Sequence, residues 1–422
     1  MKFLLALAQA HEEFRVPELL SLAALEGINV DLSAHKLDSP YVEVELESEQ
    51  EAARLVKRSI LTKAAYRILS SGTTLEEIHA QNVAQPEMMA EFKNVGFKFE
   101  FLSFHGRRRR QDRLDAIDQF KYMGFEGQIQ LADPECLFTI IETYELYNPV
   151  PTKIWYTKFV GAGDRAVVDI YDLKKRPVIG TTSFEAELSL VTCNLAQVKQ
   201  GDLVYDPFSG TGSFPVAAAK YGSLVFGSDI DVRSLRGYLK NFEQYGTSTY
   251  FGDVLSMDFT HNAFRKDLKF SSIISDPPYG IREGLKVCGA KPEDKQKFEE
   301  KASLKIDNEL AFRRKDYIQP KVAYSFELLL QDILNFAGDR LVQGGRLAFW
   351  LPLPDVDGGP QFPQHRSLKL LFTCPQRFNK WTRWLLTYEK RPEGEFGAEK
   401  AISVADFREH YFNRGLDKST ST

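Results

Sequence analysis

The run Asp276-Pro277-Pro278-Tyr279-Gly280 is a short turn whose chemistry suits a weak nitrogen nucleophile. An aromatic amine shares its lone pair with its ring. It attacks well only when acceptors take its N–H bonds and localise that pair. The Asp276 carboxylate and the Pro277 carbonyl are two such acceptors, and Pro277 and Pro278 fix backbone φ, which presets the carbonyl direction. Tyr279 offers a ring on which an extruded base can stack. The same aspartate belongs to a rhythm: Asp206, Asp229, Asp253 and Asp276 stand 23, 24 and 23 residues apart. LVYD, LVFGSD and SIISD are apolar runs closed by an aspartate, and STYFGD is a weaker one. That spacing fits one strand–loop–helix–loop unit. It predicts four carboxylates at the carboxyl ends of neighbouring parallel strands, the edge where doubly wound sheets bind ligands.

The first aspartate opens Asp206-Pro207-Phe208-Ser209-Gly210-Thr211-Gly212-Ser213. Gly210 and Gly212 permit a tight turn that a ligand can approach, with a helix beginning at once. The pattern is neither GxGxxG nor a GKS phosphate loop. Asp229, followed by Ile230, lies close to the offset of a carboxylate that holds ribose hydroxyls. Asp231 is a substitute for it, although it reads better as a helix-start residue. Asp253, followed by Val254, is placed to accept from an adenine amino group, with a turn or N-cap as the alternative. Upstream, a helix after Gly180 would lay Thr182, Ser183 and Phe184 over the methionine end of such a ligand. The residues there support only a cap, Ser183 with a first-turn Glu. Together these features predict in-line methyl transfer from S-adenosylmethionine to an exocyclic base amine, with catalysis coming mainly from positioning.

The elements that must hold these residues are legible in outline. From Thr181 onward the chain reads as repeated strand–turn–helix units, with late strands at Arg346–Leu353 and Trp384–Lys390 separated by a Pro/Gly-rich loop. Residues 281–321 read as a long insertion of mixed charge. Before residue 181 the texture is finer. Phe3–Ala10 reads as a strand and Pro17–Glu26 as a helix stopped by Gly27. Tyr41–Glu47 alternates as a half-buried strand, and Ser48-x-x-Glu51 is a capping box opening a helix to about Lys57. Further strands are expected at Phe97–Phe104, Leu137–Tyr144 and Lys153–Val160, with helices over Leu75–Phe92 and Asp112–Met123. Arg107, Arg108, Arg109 and Arg110 follow the first of these strands, with Arg113 one turn later. Such a cluster can grip several phosphates, and a solvated charged loop is the plainer alternative.

Composition limits the function classes. The 422 residues exceed one ordinary core, and 43% are hydrophobic and 27% charged, as in globular proteins. The net charge of −4 hides 22 basic against 27 acidic residues up to residue 180, and 32 against 31 after it. Neither part is a bulk polyanion binder, so nucleic-acid contact needs a local patch. Four dispersed cysteines argue against a disulfide framework and against a zinc site in this chain, and point to a reducing, cytoplasmic compartment. The apolar run Phe3–Ala8 is short for a signal-peptide core, and no stretch is long enough to span a bilayer.

TTSFEAELSLVTCN, LVYDPFSGTGSF, GSDID, GDV and SDPPYGIREG resemble the THUMP-containing guanine-N2 tRNA methyltransferases. The likeness is most specific over Lys174–Gly284 and continues through GGRLAFWLP and FNKWTRWLL. It implies a Rossmann-like class I methyltransferase domain over 173–422, preceded by a ferredoxin-like domain over 1–62 and a THUMP RNA-binding domain over 63–172. It also implies methylation of guanosine 10 of tRNA and a heterodimer with a small zinc-binding activator. That partner would pair with an exposed edge strand near Ser248–Phe251, by backbone strand addition. The rival readings are a DNA adenine-N6 or cytosine-N4 methyltransferase, which would need a DNA-reading module, and an inactive RNA-binding scaffold.

Overall fold

The computed structural model describes residues 1–280, 285–314, 317, 319–354, 359–379 and 381–398. Contacts divide the chain into two units, Met1–Ala166 and Val167–Thr422.

The first unit is built on strands β1 (Lys2–Leu7), β2 (Tyr41–Glu45), β3 (Thr62–Gly72), β4 (Phe97–Phe104), β5 (Cys136–Tyr144) and β6 (Pro151–Ala162). They form one six-stranded sheet in the order β2-β1-β3-β6-β5-β4, antiparallel except for the β4–β5 pair. Helices α1 (Arg15–Glu26), α2 (Glu49–Val56), α3 (Leu75–Val83), α4 (Pro86–Ala90) and α5 (Arg110–Asp118) complete it. In β2 the alternation sends Val42 and Val44 inward and Glu43 and Glu45 outward. Ser48 Oγ accepts the Glu51 N–H at 3.2 Å, the expected N-cap of α2. The single helix expected over Leu75–Phe92 is two, because Pro86 cannot continue the hydrogen bonding of α3 and instead starts α4. Among the described residues three apolar clusters lie on this sheet, one around Phe3, Leu22, Val44 and Leu55, one around Phe92, Phe120, Phe138 and Tyr156, and one around Leu4, Tyr66, Ile141 and Trp155.

The second unit opens with α6 (Val167–Ile170) and α7 (Ala186–Leu195). Then strand and helix alternate through β7 (Leu203–Asp206), α8 (Ser213–Lys220), β8 (Leu224–Asp229), α9 (Tyr238–Gln244), β9 (Phe251–Ser256) and β10 (Phe270–Ser275). The described part of 281–321 carries two short ribbons, β11 (Lys286–Cys288) with β14 (Lys321–Ala323) and β12 (Lys305–Ile306) with β13 (Glu309–Leu310), and α10 (Lys295–Ser303). Residues 281–284, 315, 316 and 318 of that expected insertion lie outside the described residues. The unit closes with α11 (Phe326–Arg340), β15 (Leu341–Pro354), β16 (Leu368–Arg377) and β17 (Trp381–Lys390). The seven-stranded sheet runs β16-β17-β15-β10-β7-β8-β9. Its strands β15, β10, β7, β8 and β9 are mutually parallel, while β17 runs antiparallel to both of its neighbours, β15 and β16.

Three sequence expectations need correction here. β16 lies in what reads as a loop. Its Pro375 and mixed composition mask the strand, and a proline is tolerated there because β16 is the sheet edge. Ser248–Tyr250 is a 3-10 turn, so the opposite edge strand is Phe251–Ser256 rather than Ser248–Phe251. Asp253 does not close its strand: it pairs across from Phe226, three residues before Ser256 reaches the level of Asp229. Among the described residues no helix is long and apolar enough to cross a membrane, and Cys136, Cys193, Cys288 and Cys374 are not joined in disulfides.

Candidate active site

Asp206 ends β7, and its Oδ1 accepts the Phe208 N–H at 3.0 Å, folding the chain into the 207–212 turn. Gly210 and Gly212 sit at φ +51° and +86°, where a side chain would be strained. A Cβ on Gly212 would lie 2.9 Å from the Tyr238 ring, whereas one on Gly210 would meet nothing within 4 Å. The turn is therefore packed on one side and open at Gly210. Its backing is specific. Tyr238 Oη and Ser209 Oγ are 2.5 Å apart, and Asn241 Nδ2 donates to the carbonyls of Thr211 and Val178, both at 2.9 Å. Ser183 Oγ accepts the Gly180 N–H and lies 2.8 Å from Thr211 Oγ1. The Phe184 N–H reaches Ser213 Oγ at 3.0 Å, and its ring packs on Phe214 and Trp350 at 4.9 Å each. Thus Ser183 braces the glycine turn and does not cap α7, whose N-cap is Glu185.

Asp229 ends β8, next to β7, and faces the same turn. Its Oδ2 accepts the Gly210 N–H at 3.0 Å and its Oδ1 accepts the Asp231 N–H at 2.8 Å. Each oxygen keeps a further lone pair for a hydroxyl donor. Asp231 is committed elsewhere: its carboxylate pairs with Arg233 Nη2 at 2.7 Å and is held at about 2 by that guanidinium. On the other side of β7, β10 delivers Asp276 to the same sheet edge, where it accepts a hydrogen bond from the Tyr279 hydroxyl. Burial pushes the Asp276 carboxyl up to about 6, opposed by Arg383 and by the tyrosine hydrogen bond. Burial also drives Asp206 well above the ordinary carboxylate range, helped by the charges of Asp229 and Asp276. Beside the buried Asp206, the arrangement can offer a ligand a hydroxyl-accepting carboxylate at Asp229 and a tunable acceptor at Asp276.

A family model described as the Tmrp11 THUMP N-terminal domain matches residues 1–165, and one described as an RMKL-like methyltransferase domain matches residues 174–291. The tRNA (guanine(10)-N(2))-methyltransferase of Saccharomyces cerevisiae is 45% identical, over 98% of this chain and 99% of its own. That of Schizosaccharomyces pombe is 33% identical, over 100% of this chain and 98% of its own. The chain belongs to the tRNA (guanine(10)-N(2))-methyltransferase family. A solved structure, TrmN from Thermus thermophilus, covers 92% of this chain and 100% of its own at 16% identity, with a TM-score of 0.41.

As a member of this methyltransferase family the enzyme takes S-adenosylmethionine as its methyl donor. The residues at the sheet edge fit that group. The open space over Gly210 admits a ligand against the backbone, and the spare lone pairs of Asp229 suit ribose hydroxyls. Of the residues expected to touch the donor, Ser183, Phe184, Asp206, Pro207, Phe208, Gly210, Gly212, Ser213, Asp229 and Ile230 lie on or beside the glycine turn. Thr182 is exposed just before them. Asp253 and Val254 do not join them: the Asp253 side chain is exposed in mid-strand and accepts the N–H of Val254 at 2.7 Å. Edge-strand register, which the sequence does not display, carries the strand three residues past the aspartate. In the 276–279 turn Pro277 is buried and Pro278 exposed.

Sequence reasoning missed Tyr238, Asn241, Arg383 and Gln376. Only Arg383 left a signal: a charged residue inside the apolar run WTRWLL asks for a buried partner.

In the first unit Arg107, Arg109, Arg110 and Arg113 are exposed, but Arg108 is not free to join them. Its Nε donates to Glu142 at 2.7 Å, and Glu142 is fully buried. The Tyr144 hydroxyl donates to the same carboxylate at 2.7 Å. Arg108 therefore anchors the arginine turn through its Nε.

Proposed function

We propose that this chain methylates the exocyclic N2 of guanosine 10 in tRNA, as the catalytic subunit of a heterodimer with a small zinc-binding activator. The observation that carries the chemistry is the convergence of the glycine turn, Asp229 and Asp276 on one edge of the parallel sheet. Bound S-adenosylmethionine supplies a methyl group made electrophilic by its sulfonium sulfur. The Asp276 carboxylate and Pro277 carbonyl accept from the N2 hydrogens, concentrating the lone pair on nitrogen. As the C–N bond forms and the S–C bond breaks, the nitrogen gives up a proton, and a carboxylate with its pKa raised to about 6 can receive it and pass it to water. The Tyr279 ring stands edge-on to Trp381, with centroids 6.4 Å apart, at the rim that a purine must cross.

A division of the amino-terminal part of the chain into residues 1–62 and 63–172 is part of this reading, with both regions holding tRNA. Arg109 occupies the N-cap position of α5 without a capping side-chain hydrogen bond, and Arg110 and Arg113 lie in its first turn. Cations at that positive helix end repel the dipole, and a phosphate there relieves the repulsion. Changing Arg107, Arg109 and Arg110 together to Gln should weaken tRNA binding and flatten the salt dependence of log K, by roughly 0.7–0.9 for each phosphate no longer neutralised. Filter-binding titrations at several salt concentrations measure it, and an unchanged slope returns the run to ordinary surface. Arg108→Gln should instead lower the melting temperature, since it strands the buried Glu142.

Strand β9 supports the partner reading: among the described residues it is a sheet edge, carrying half-buried Val254 and Leu255 and an outward-facing row of backbone groups. Nucleoside mapping of tRNA treated with the protein, alone and with the activator, tests the function. N2-methylguanosine at position 10 is the expected product; methylation only of duplex DNA, or of no substrate with the partner present, would overturn it.

A further inference from the structure

We propose that Arg383 is a positioning residue for methyl transfer, holding the Tyr279 hydroxyl so that the Asp276 carboxylate stays charged and aimed at the substrate amine. This rests on the reading of Asp276 as the amine acceptor. Arg383 lies in β17, opposite Pro352 of β15 and Gln376 of β16. Its guanidinium is held on all sides but one. It lies 4.3 Å from the Phe184 ring centroid, 4.9 Å from Trp350 and 5.7 Å from Phe378. Its Nε donates to Gln376 Oε1 at 3.0 Å, and Gln376 Nε2 donates in turn to Glu185 Oε1 at 3.1 Å. The remaining side faces the 276–279 turn, against which the hairpin packs through Trp381.

The direction of hydrogen bonding follows from chemistry alone. A guanidinium has donors and no acceptor. Toward Arg383 the Tyr279 oxygen can only accept, and its single proton goes to Asp276, as the observed Tyr279–Asp276 hydrogen bond requires. One carboxylate lone pair is thereby fixed by a rigid relay, leaving the others for the substrate amine. Among the described residues, the charged and titratable groups facing Asp276 are Tyr279 from its own turn, Arg383 from β17 and Asp206 from β7. Tyr279 and Asp206 are acids, and Arg383 is the cation that opposes burial there. Its planar fork, clamped between aromatic faces, cannot be reproduced by lysine, although lysine keeps the charge.

The test is the pH profile of kcat for the activator-bound enzyme with tRNA and S-adenosylmethionine, for the wild type, Arg383→Met and Arg383→Lys. Methionine keeps the packing against Phe184 and Trp350 and removes the charge. Its acid limb should move up by about one unit or more, the effect of losing a close opposite charge. Turnover at pH 7 should then fall about twofold for a one-unit shift and about tenfold for a two-unit shift, and recover at higher pH. Lysine should keep the wild-type limb but lose turnover, because the fork is gone. An unmoved acid limb in folded Arg383→Met overturns the proposal; should that variant not fold, wild-type turnover in Arg383→Lys overturns it. A wild-type enzyme that fails to methylate guanosine overturns the function itself, which is a different result.

Discussion

Asp276→Ala lowers kcat for tRNA methylation by about 10²–10⁴, the contribution of a well-placed acid–base group, while tRNA and donor affinity stay near wild type. The substrate amine loses its charged acceptor, and the Pro277 carbonyl alone localises the lone pair less. Asp276→Asn should be nearly as damaging, since its NH₂ would face either the Tyr279 hydroxyl or the substrate N–H. Single-turnover methylation at saturating donor measures the chemical step directly. A rate within a few-fold of wild type would remove the carboxylate from the mechanism. The same group sets a pH dependence. Its carboxyl is raised to about 6 by burial, so below that pH it is protonated, loses its charge and can no longer take up the amine proton. Activity should fall as pH drops through 6, and this limb should vanish with the side chain.

Asp229→Asn should weaken binding of S-adenosylhomocysteine by roughly 10–100-fold. Asp229 uses one oxygen for the Gly210 N–H and the other for the Asp231 N–H. Asparagine has a single oxygen, so one of these donors would face an NH₂. Hydrogen bonds to charged groups are worth about 1.5–3 kcal/mol, and about 1.4 kcal/mol is tenfold in affinity. The loss falls on the turn that must be preorganised for the ligand, and the charged acceptor for the ribose goes with it. Isothermal titration reads the affinity, with thermal melting as the check on folding. Equal affinity in a folded variant would mean that this carboxylate neither shapes the turn nor touches the ligand.

Both predictions turn on residues that announce themselves in the chain, and the reason is local. Two glycines at positive φ, a strand-closing aspartate and a double proline each impose a backbone conformation over a few residues, whatever surrounds them. The 23-residue step from Asp206 to Asp229 likewise reports a strand–helix unit, and β7, β8 and β10 do end at or just before Asp206, Asp229 and Asp276. The capping box at Ser48 and the αL glycine after α1 were legible for the same reason.

What tertiary structure alone decided is where distant segments meet. No local rule places Arg383 of an antiparallel hairpin beside Asp276, sets Asn241 of α9 under the carbonyl of Thr211, or turns Arg108 away from its neighbours toward buried Glu142. The same holds for Asp253, whose identity and spacing match the other three but whose edge-strand register leaves it in mid-strand. Backbone conformation is set by neighbours in sequence, so the turns and strand ends could be read directly. Partner choice for a buried charge, and register at a sheet edge, are set by burial and by contacts across the fold, and these exist only once the chain has packed.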